Sequence, residues 1–546
     1  MKSLFYISLA IACLITLSAV SVLGENVSLA VYPSDEELYE AYLRGDIDYQ
    51  TYLNLVDIFE GGIDSTDLYL LEEIPNISYF LQSLTGDFSG LEQEQQEAYI
   101  ESAPEEKKKT GYFRSRAYQK LEEDGENKGY LNFKSRLNSE WSVEAGFTDN
   151  YDGDKQWSRR SAIYQARRGP VRKMIFGNYT ARFGLGLAVG FRGRLLDKDE
   201  VTGLKSLAFP DYGGFNGVYI EGGRSKDAVR VMLHYDENDE FSFRCGGLDF
   251  SRQLGDFRVE GMVIASALKN RETGIKFTQY RFGSFVQYTL DNFNAAIEAA
   301  FPGESGSAIP AAVFETRLKG EDYLINFSAW NYTDDYINFT GGGRSGGLYQ
   351  TVTVDTAEFD FRDRRYDQRG ILLKSRVSFD GDIVYDFHFS IYGKSRFENY
   401  EQLIAAVEIP LGGVSRIRID FRNNREKDIT ASTEETEIRT EYRYRPGIFD
   451  LRAYISYNQD KQDEQFMSYF SRIKYRRNGL GLLELWLNLD KVSQSRGQID
   501  YFYGYVKETL ALTASMEMAA KYSYRYNRAY SEREQSIFQL EATYRW

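Results

Sequence analysis

The sequence predicts an all-β fold: a large antiparallel transmembrane β-barrel of about 24 strands (22–26), preceded by a small α-helical module. Three observations predict it. From residue 110 onward, large or apolar side chains alternate with polar ones in segments of roughly 9 to 14 residues, the period that turns successive side chains to opposite faces of a strand. The connections between these segments are alternately short and long. Beyond residue 24 no apolar run reaches the ~20 residues of a spanning helix. Only 9 prolines occur in 546 residues, which suits a backbone whose N–H groups are committed to ladders.

Residues 1–24 carry Lys2, an apolar stretch from Leu4 to Leu23 and a small residue at Gly24. That is the composition of a secretory signal peptide, with a retained membrane anchor as the alternative. Cys13 does not fit a lipoprotein cysteine, because the apolar run continues to Leu17 and Val22. With the leader removed, Cys245 is the one cysteine left and no internal disulfide can form.

Residues 25–85 read as an acidic helical module for the periplasm. Leu38, Tyr42, Tyr49, Tyr52, Leu53 and Val56 recur with a broken helical period, Ser34 and Glu37 fit a capping box, and a second helical unit runs from Ser65, with a break at Pro75. Residues 86–109 are polar, end in Glu105–Glu106–Lys107–Lys108–Lys109, and read as a linker. Residues 25–109 hold 20 acidic and 4 basic side chains, whereas 110–546 balances at 61 of each. A module this anionic repels phosphate backbones, which argues against nucleic acid as a partner and for a periplasmic protein.

The barrel itself is placed at 110–546. Clear alternation appears at Ile438–Tyr444, Leu451–Asn458, Met516–Arg525 and Phe538–Trp546. Short connections at 509–512, 477–479, Pro446–Gly447 and Gly412–Gly413 interleave with longer ones at 527–535, 491–498, 459–465 and 424–434; a link near 397–400 is shorter than this rhythm predicts. Outer-membrane barrels keep their short turns in the periplasm, so the chain's end and Gly412–Gly413 belong on that side. The longest loops are expected at 334–369, with Gly341, Gly342, Gly343, Gly346 and Gly347 near its start, and at 192–212. Residues 171–191 read as one long strand or two short ones. A barrel of this width needs a plug or infolded loops, or else leaves an aqueous lumen.

Several segments resemble known proteins. The final strand, with Phe538, Leu540, Tyr544 and Trp546 on one face, resembles the closing strand of bacterial outer-membrane barrels, whose terminal aromatic is read by the barrel-insertion machinery. Ile63–Asp64–Ser65–Thr66–Asp67–Leu68, Leu71 and Ile74–Pro75–Asn76–Ile77–Ser78 resemble one unit of a helix-hairpin-helix domain. Gly177–Asn178–Tyr179 and Phe183–Gly184–Leu185–Gly186–Leu187 are similar to a segment early in the barrels of outer-membrane proteins of diderm bacteria that carry such a module. The resemblance implies architecture, outer-membrane lipid as the surroundings and a periplasmic module, more than an activity. The hairpin turn departs from the nucleic-acid-binding pattern: Asn76–Ile77–Ser78 has no glycine and no adjacent Lys or Arg.

Charged side chains fall on one face of two strands: Arg416, Arg418, Asp420 and Arg422, then Arg439, Glu441, Arg443 and Arg445. At mid-membrane an Arg or Lys facing lipid costs about 2–4 kcal/mol, so these side chains are expected to line the lumen. Two readings stand: an arginine-lined wall that favours anionic solutes, and a wall held together by Arg–Glu pairs across strands. His234 and His388 are the only histidines, and His234 with Asp236 lacks a nucleophile. Gly184, Gly186 and Gly190 lack phosphate-loop spacing and suggest a bulge or close backbone contact. Asp355, Glu358, Asp360 and Asp363 are interleaved with Arg362, Arg364 and Arg365, which favours a self-neutralised loop over a calcium site. No catalytic set, metal or cofactor is expected. The functions that remain are a porin-like channel for small polar solutes, a plugged barrel that recruits a periplasmic partner through 25–85, and uptake of DNA or another polymer.

Overall fold

The computed structural model describes residues 111–546, apart from short stretches mostly in the connections, of which 303–310 and 342–351 are the longest, together with Leu38, which is helical and buried. The expected leader (1–24), the remainder of the helical module (25–85) with its hairpin-like unit, and the linker (86–109) lie outside the described residues.

Strands follow one another along the chain. The first group is β1 (Gly111–Lys120), β2 (Asn127–Arg136), β3 (Trp141–Asp149), β4 (Lys155–Gln165) and β5 (Val171–Tyr179), then a short helix α1 (Gly203–Ala208). Next come β6 (Phe215–Arg224), β7 (Asp227–Glu237), β8 (Phe241–Leu254), β9 (Phe257–Asn270), β10 (Lys276–Leu290), β11 (Phe293–Pro302), β12 (Ala311–Lys319) and β13 (Tyr323–Asn331). A small hairpin, β14 (Val352–Asp355) and β15 (Asp360–Asp363), interrupts the series. It resumes with β16 (Gln368–Phe379), β17 (Ile383–Lys394), β18 (Glu398–Pro410), β19 (Ser415–Lys427), β20 (Ser432–Tyr444) and β21 (Phe449–Gln459). The last five are β22 (Gln465–Arg477), β23 (Gly481–Ser493), β24 (Ile499–Thr513), β25 (Met516–Asn527) and β26 (Glu534–Arg545).

All but β14 and β15 belong to one 24-stranded sheet. Each strand pairs antiparallel with its neighbours in sequence, β13 pairs with β16, and β1 closes the ring against β26 with Tyr112 opposite Arg545 and Lys120 opposite Ile537. Closure leaves no free edge. Gly111 and Trp546 exchange backbone hydrogen bonds of 3.2 and 3.1 Å at the seam, and the Arg116 guanidinium meets Glu541 at 2.7 Å beside it.

The alternation read from the sequence decides which face looks out. In β8, Phe241, Phe243, Cys245 and Asp249 are buried while Leu248 and Phe250 stand exposed on the other face. In β19, Asp420 is buried and Ile419 and Phe421 are exposed. Aromatic pairs ring the outer face near the rim that holds Gly111 and Trp546: Trp141–Tyr164, Phe257–Tyr288, Phe379–Tyr385, Phe449–Tyr475 and Tyr544–Trp546. Phe147–Trp157 and Phe502–Tyr524 lie toward the opposite rim.

Connections at the rim of Gly111 and Trp546 span two to five residues, while the opposite rim carries the two long ones, 180–214 and 332–367. The expected turn at 509–512 is instead strand. A register shift between Ala511 and Thr513 lets β24 continue to Thr513, and the turn occupies 514–515. The connection expected at 424–434 shrinks to 428–431 because both flanking strands extend toward the rim. The ambiguous stretch 171–191 contains one strand, β5, after which the chain leaves the wall at residue 180.

Candidate functional site

The interior of the barrel has two unlike halves. Against the wall of β5–β13, residues 181–190 of the first long connection fold inward as a tongue. Phe183, Leu187, Ala188 and Val189 are wholly buried there, among Tyr179, Met232, Phe243, Ile264, Trp330 and Phe339. The tongue crosses over itself, with the Phe183 N–H donating to the Val189 carbonyl at 3.0 Å.

The second long connection clamps it. The Asn338 amide donates to the Leu187 carbonyl at 2.9 Å, the Thr340 hydroxyl to the Ala188 carbonyl at 2.9 Å, and the Gly190 N–H to the Thr340 carbonyl at 2.9 Å. These contacts join segments about 150 residues apart in sequence, so no local pattern announces them.

Carboxylates on the wall fasten the tongue from beneath. Glu298 of β11, fully buried, accepts the N–H groups of Leu187 at 3.1 Å and Ala188 at 2.9 Å. Glu260 of β9 accepts the Gly184 N–H at 3.0 Å. Arg230 of β7 sits between Asp249 (2.7 Å) and Glu260 (2.8 Å), donates to the Arg182 carbonyl at 3.2 Å, and lies 5.0 Å from the centre of the Phe183 ring. Buried charge is tolerable here because every member of the cluster has an opposite charge or an amide to face. The glycines of this segment serve close approach and turning rather than strand bulges. Gly184 has φ +54°, and a Cβ there would stand 2.9 Å from a Glu298 carboxylate oxygen.

The other half of the interior, β17–β22, is ionic. The eight charged residues singled out from the sequence come together on its buried face, opposite Ile417, Ile419 and Phe421. Arg418 stands across from Glu441, Asp420 from Arg439 and Arg416 from Arg443. Arg418 bridges Asp386 (2.5 Å) and Asp420 (2.7 Å), and Arg439 approaches Asp420 at 3.5 Å. Arg416 meets Glu408 at 2.9 Å, Arg422 lies 4.0 Å from Glu437, and Arg445 lies 3.4 Å from Asp450. Glu441 is the hub: Arg452 holds it through two bonds of 2.9 Å, and Arg443 pairs with it as well. Six of the eight are arginines; Asp386, Glu408, Glu437 and Asp450 each pair with one of them, although Asp386 is shared with Arg376 and Asp450 with Arg472.

Two features of this face escape a residue-by-residue reading of charge. An aromatic ladder crosses four strands, Tyr454 to Phe470 (4.9 Å), Trp486 (4.7 Å) and Tyr505 (5.6 Å). Arg439, Arg452 and Lys521 lie over the rings of Tyr454, Phe470 and Tyr505. Only the register relating β21 to β24 brings these rings into line.

The remaining candidates are quieter. His234 is buried between Phe215 and Phe243, and its Nδ1 accepts the Asn216 N–H at 2.8 Å. His388 lies in β17 directly across from Ile404 of β18. Asp355, Asp360 and Asp363 occupy the β14–β15 hairpin, but their side chains, like Glu358, lie outside the described residues. No group of His, Cys, Asp or Glu among the described residues is arranged to hold a metal ion. Of the residues expected to signal insertion, Leu540, Tyr544 and Trp546 are exposed on the outer face of β26, and Phe538 lies opposite Tyr522 of β25.

No family model matches this chain, and no curated protein matches it. Among solved structures it is similar to a chain of the E. coli P pilus tip assembly intermediate PapC-PapD-PapK-PapG, with 10% identity and a TM-score of 0.47 over 80% of this chain and 60% of that one. It is also similar to the P pilus usher (PapC) translocation pore, with 10% identity and a TM-score of 0.40 over 80% of this chain and 98% of that one. The outer membrane protein OpdK from Pseudomonas aeruginosa gives 8% identity and a TM-score of 0.31 over 59% of this chain and 98% of that one. The assignment to closed antiparallel barrels rests on this chain's own hydrogen-bonded register.

Proposed function

We propose that this chain is a non-enzymatic channel of the bacterial outer membrane that passes small polar solutes between the tongue and the ionic wall. The observation that carries the proposal is the exposed apolar outer face of the strands, bounded by aromatic pairs, together with the charged inner face of β17–β22. In water such an outer surface would aggregate; in a bilayer it is the expected boundary. A circular barrel of 24 strands spaced about 4.8 Å apart and tilted about 40° would be ~50 Å across. The described part of the tongue packs against one side of that space.

In this account Arg416, Arg418, Asp420, Arg422, Arg439, Glu441, Arg443 and Arg445 line the path. Because their charges are largely paired, selectivity toward anions is weak and passage is governed by size. Phe538, Leu540, Tyr544 and Trp546 serve recognition by the insertion machinery. The supporting experiment is swelling of vesicles containing the refolded chain in sugars of increasing size. Swelling that falls with solute size supports the proposal, and a folded, inserted barrel giving no swelling refutes it.

The buried tongue also favours a second reading, a plugged barrel whose module at 25–85 recruits a periplasmic protein. Deleting 25–109 separates the two: a channel keeps its permeability, and a scaffold loses its partner. Uptake of DNA or another polymer is the third reading, and the anionic segment 25–109 weighs against a polyanionic cargo.

A further inference from the structure

The outer face of β7–β10 carries a feature that solute passage does not explain. Gly246, Ala265 and Ala267 stand together there, with Gly246 directly opposite Ala265. Their small side chains leave a groove of about 490 Å³ in the apolar surface, flanked by Leu233 and Tyr235. Above it, toward the rim with the long connections, three exposed cations point outward: Arg244, Lys269 and Lys276. Arg244 lies across from Ala267, and Lys269 lies directly across from Lys276.

Like charges directly opposite one another on a sheet are unfavourable, because their Cα atoms are only about 4.5–5.5 Å apart. Carboxylates exist nearby but are engaged elsewhere or stay apart. Glu237 accepts from the Tyr235 hydroxyl, and Asp239 pairs with Lys205. Glu240 and Glu272 sit in the adjacent turns. Among the described residues no ion pair joins Arg244, Lys269 or Lys276 to a carboxylate.

We infer that this patch binds a phosphorylated membrane lipid, with phosphate on the three cations and an acyl chain in the groove. The inference rests on the proposal that the barrel spans a membrane. The groove supplies a hydrocarbon-lined slot at the depth where chains begin, and the cations sit at the rim where headgroups lie. Lysines that merely anchor the barrel at the interface would show no preference among lipids and no dependence on the groove.

The test uses the full chain in phosphatidylcholine nanodiscs doped with diphosphorylated lipid A or with its dephosphorylated form, read by native mass spectrometry. The expected result is a retained adduct with the phosphorylated lipid only. Retention should be weaker by roughly 30-fold in the double variant K269Q/K276Q, since each surface cation contributes about fivefold. A265F, which fills the groove and leaves the cations intact, should also lose the adduct, and excess inorganic pyrophosphate should not displace it from the unaltered chain. Heat-modifiable migration verifies that each variant is folded. Equal retention of both lipids, an unchanged K269Q/K276Q, or an A265F variant that binds normally overturns the inference while leaving the barrel in its membrane. A folded chain that does not enter nanodiscs overturns the membrane proposal itself.

Discussion

Removing the Glu298 carboxylate should loosen the tongue without opening the barrel. Glu298 is fully buried and is the acceptor for two backbone N–H groups, those of Leu187 and Ala188. In Glu298→Ala both donors lose this partner in a place sealed from solvent. Each buried group left unsatisfied costs about 1–3 kcal/mol, so the closed tongue is destabilised by at least about 2 kcal/mol, a factor of roughly 30 in its opening equilibrium. The assay is hydrogen exchange of the refolded chain in detergent, resolved to residues 181–190 and to β19–β22 as an internal reference. Protection should fall at least about 30-fold at Leu187 and Ala188 and stay constant in the reference strands. Glu298→Gln keeps one carbonyl acceptor and should fall between. Unchanged exchange in Glu298→Ala would refute the idea that wall carboxylates hold the tongue. Uniform loss across the reference strands would show that Glu298 supports the barrel as a whole.

Other outcomes follow from the same geometry. Glu441→Ala strands Arg452 and Arg443 in the interior and should cost about 3–5 kcal/mol in urea unfolding, whereas Arg416→Ala removes a half-exposed guanidinium from the buried Glu408 and should cost less. Ile455→Arg places a charge mid-strand on the outer face and should lower folding stability in vesicles by about 2–4 kcal/mol. Trp546→Ala removes the ring that stacks on Tyr544 and lies against Phe133, and should reduce the fraction of chain that reaches the heat-modifiable form in cells. Gly184→Val should loosen the tongue as Glu298→Ala does, because the residue has positive φ and its Cβ would press on the Glu298 carboxylate; exchange at Ala188 reads the effect.

Much of the wall was legible in the sequence because a barrel strand records its environment every second residue. Ile419 and Phe421 against Asp420 and Arg422 is a local pattern, and the same holds along Phe538–Trp546. The alternation of short and long connections likewise follows from chain order alone. Where a boundary was misplaced, the cause was a local irregularity: the shift at Ala511–Thr513 carries β24 past its expected turn. The ionic wall was legible as charge, but not as pairing, since Arg418 reaches Asp386 on the next strand but one and the choice of partner depends on register. The tongue was not legible. The sequence left 171–191 as one strand or two, and the tongue's position depends on Glu298, Glu260, Asn338 and Thr340, which the β9 and β11 wall and the second long connection bring to it from far along the chain.

The central claim is that a conducting path runs beside the tongue, and single-channel recording in a planar bilayer tests it most directly. The account predicts stable open steps from the refolded chain, with a reversal potential under a salt gradient close to that of an unselective pore because the wall arginines are paired. Barrels verified as folded and inserted that never conduct would contradict it.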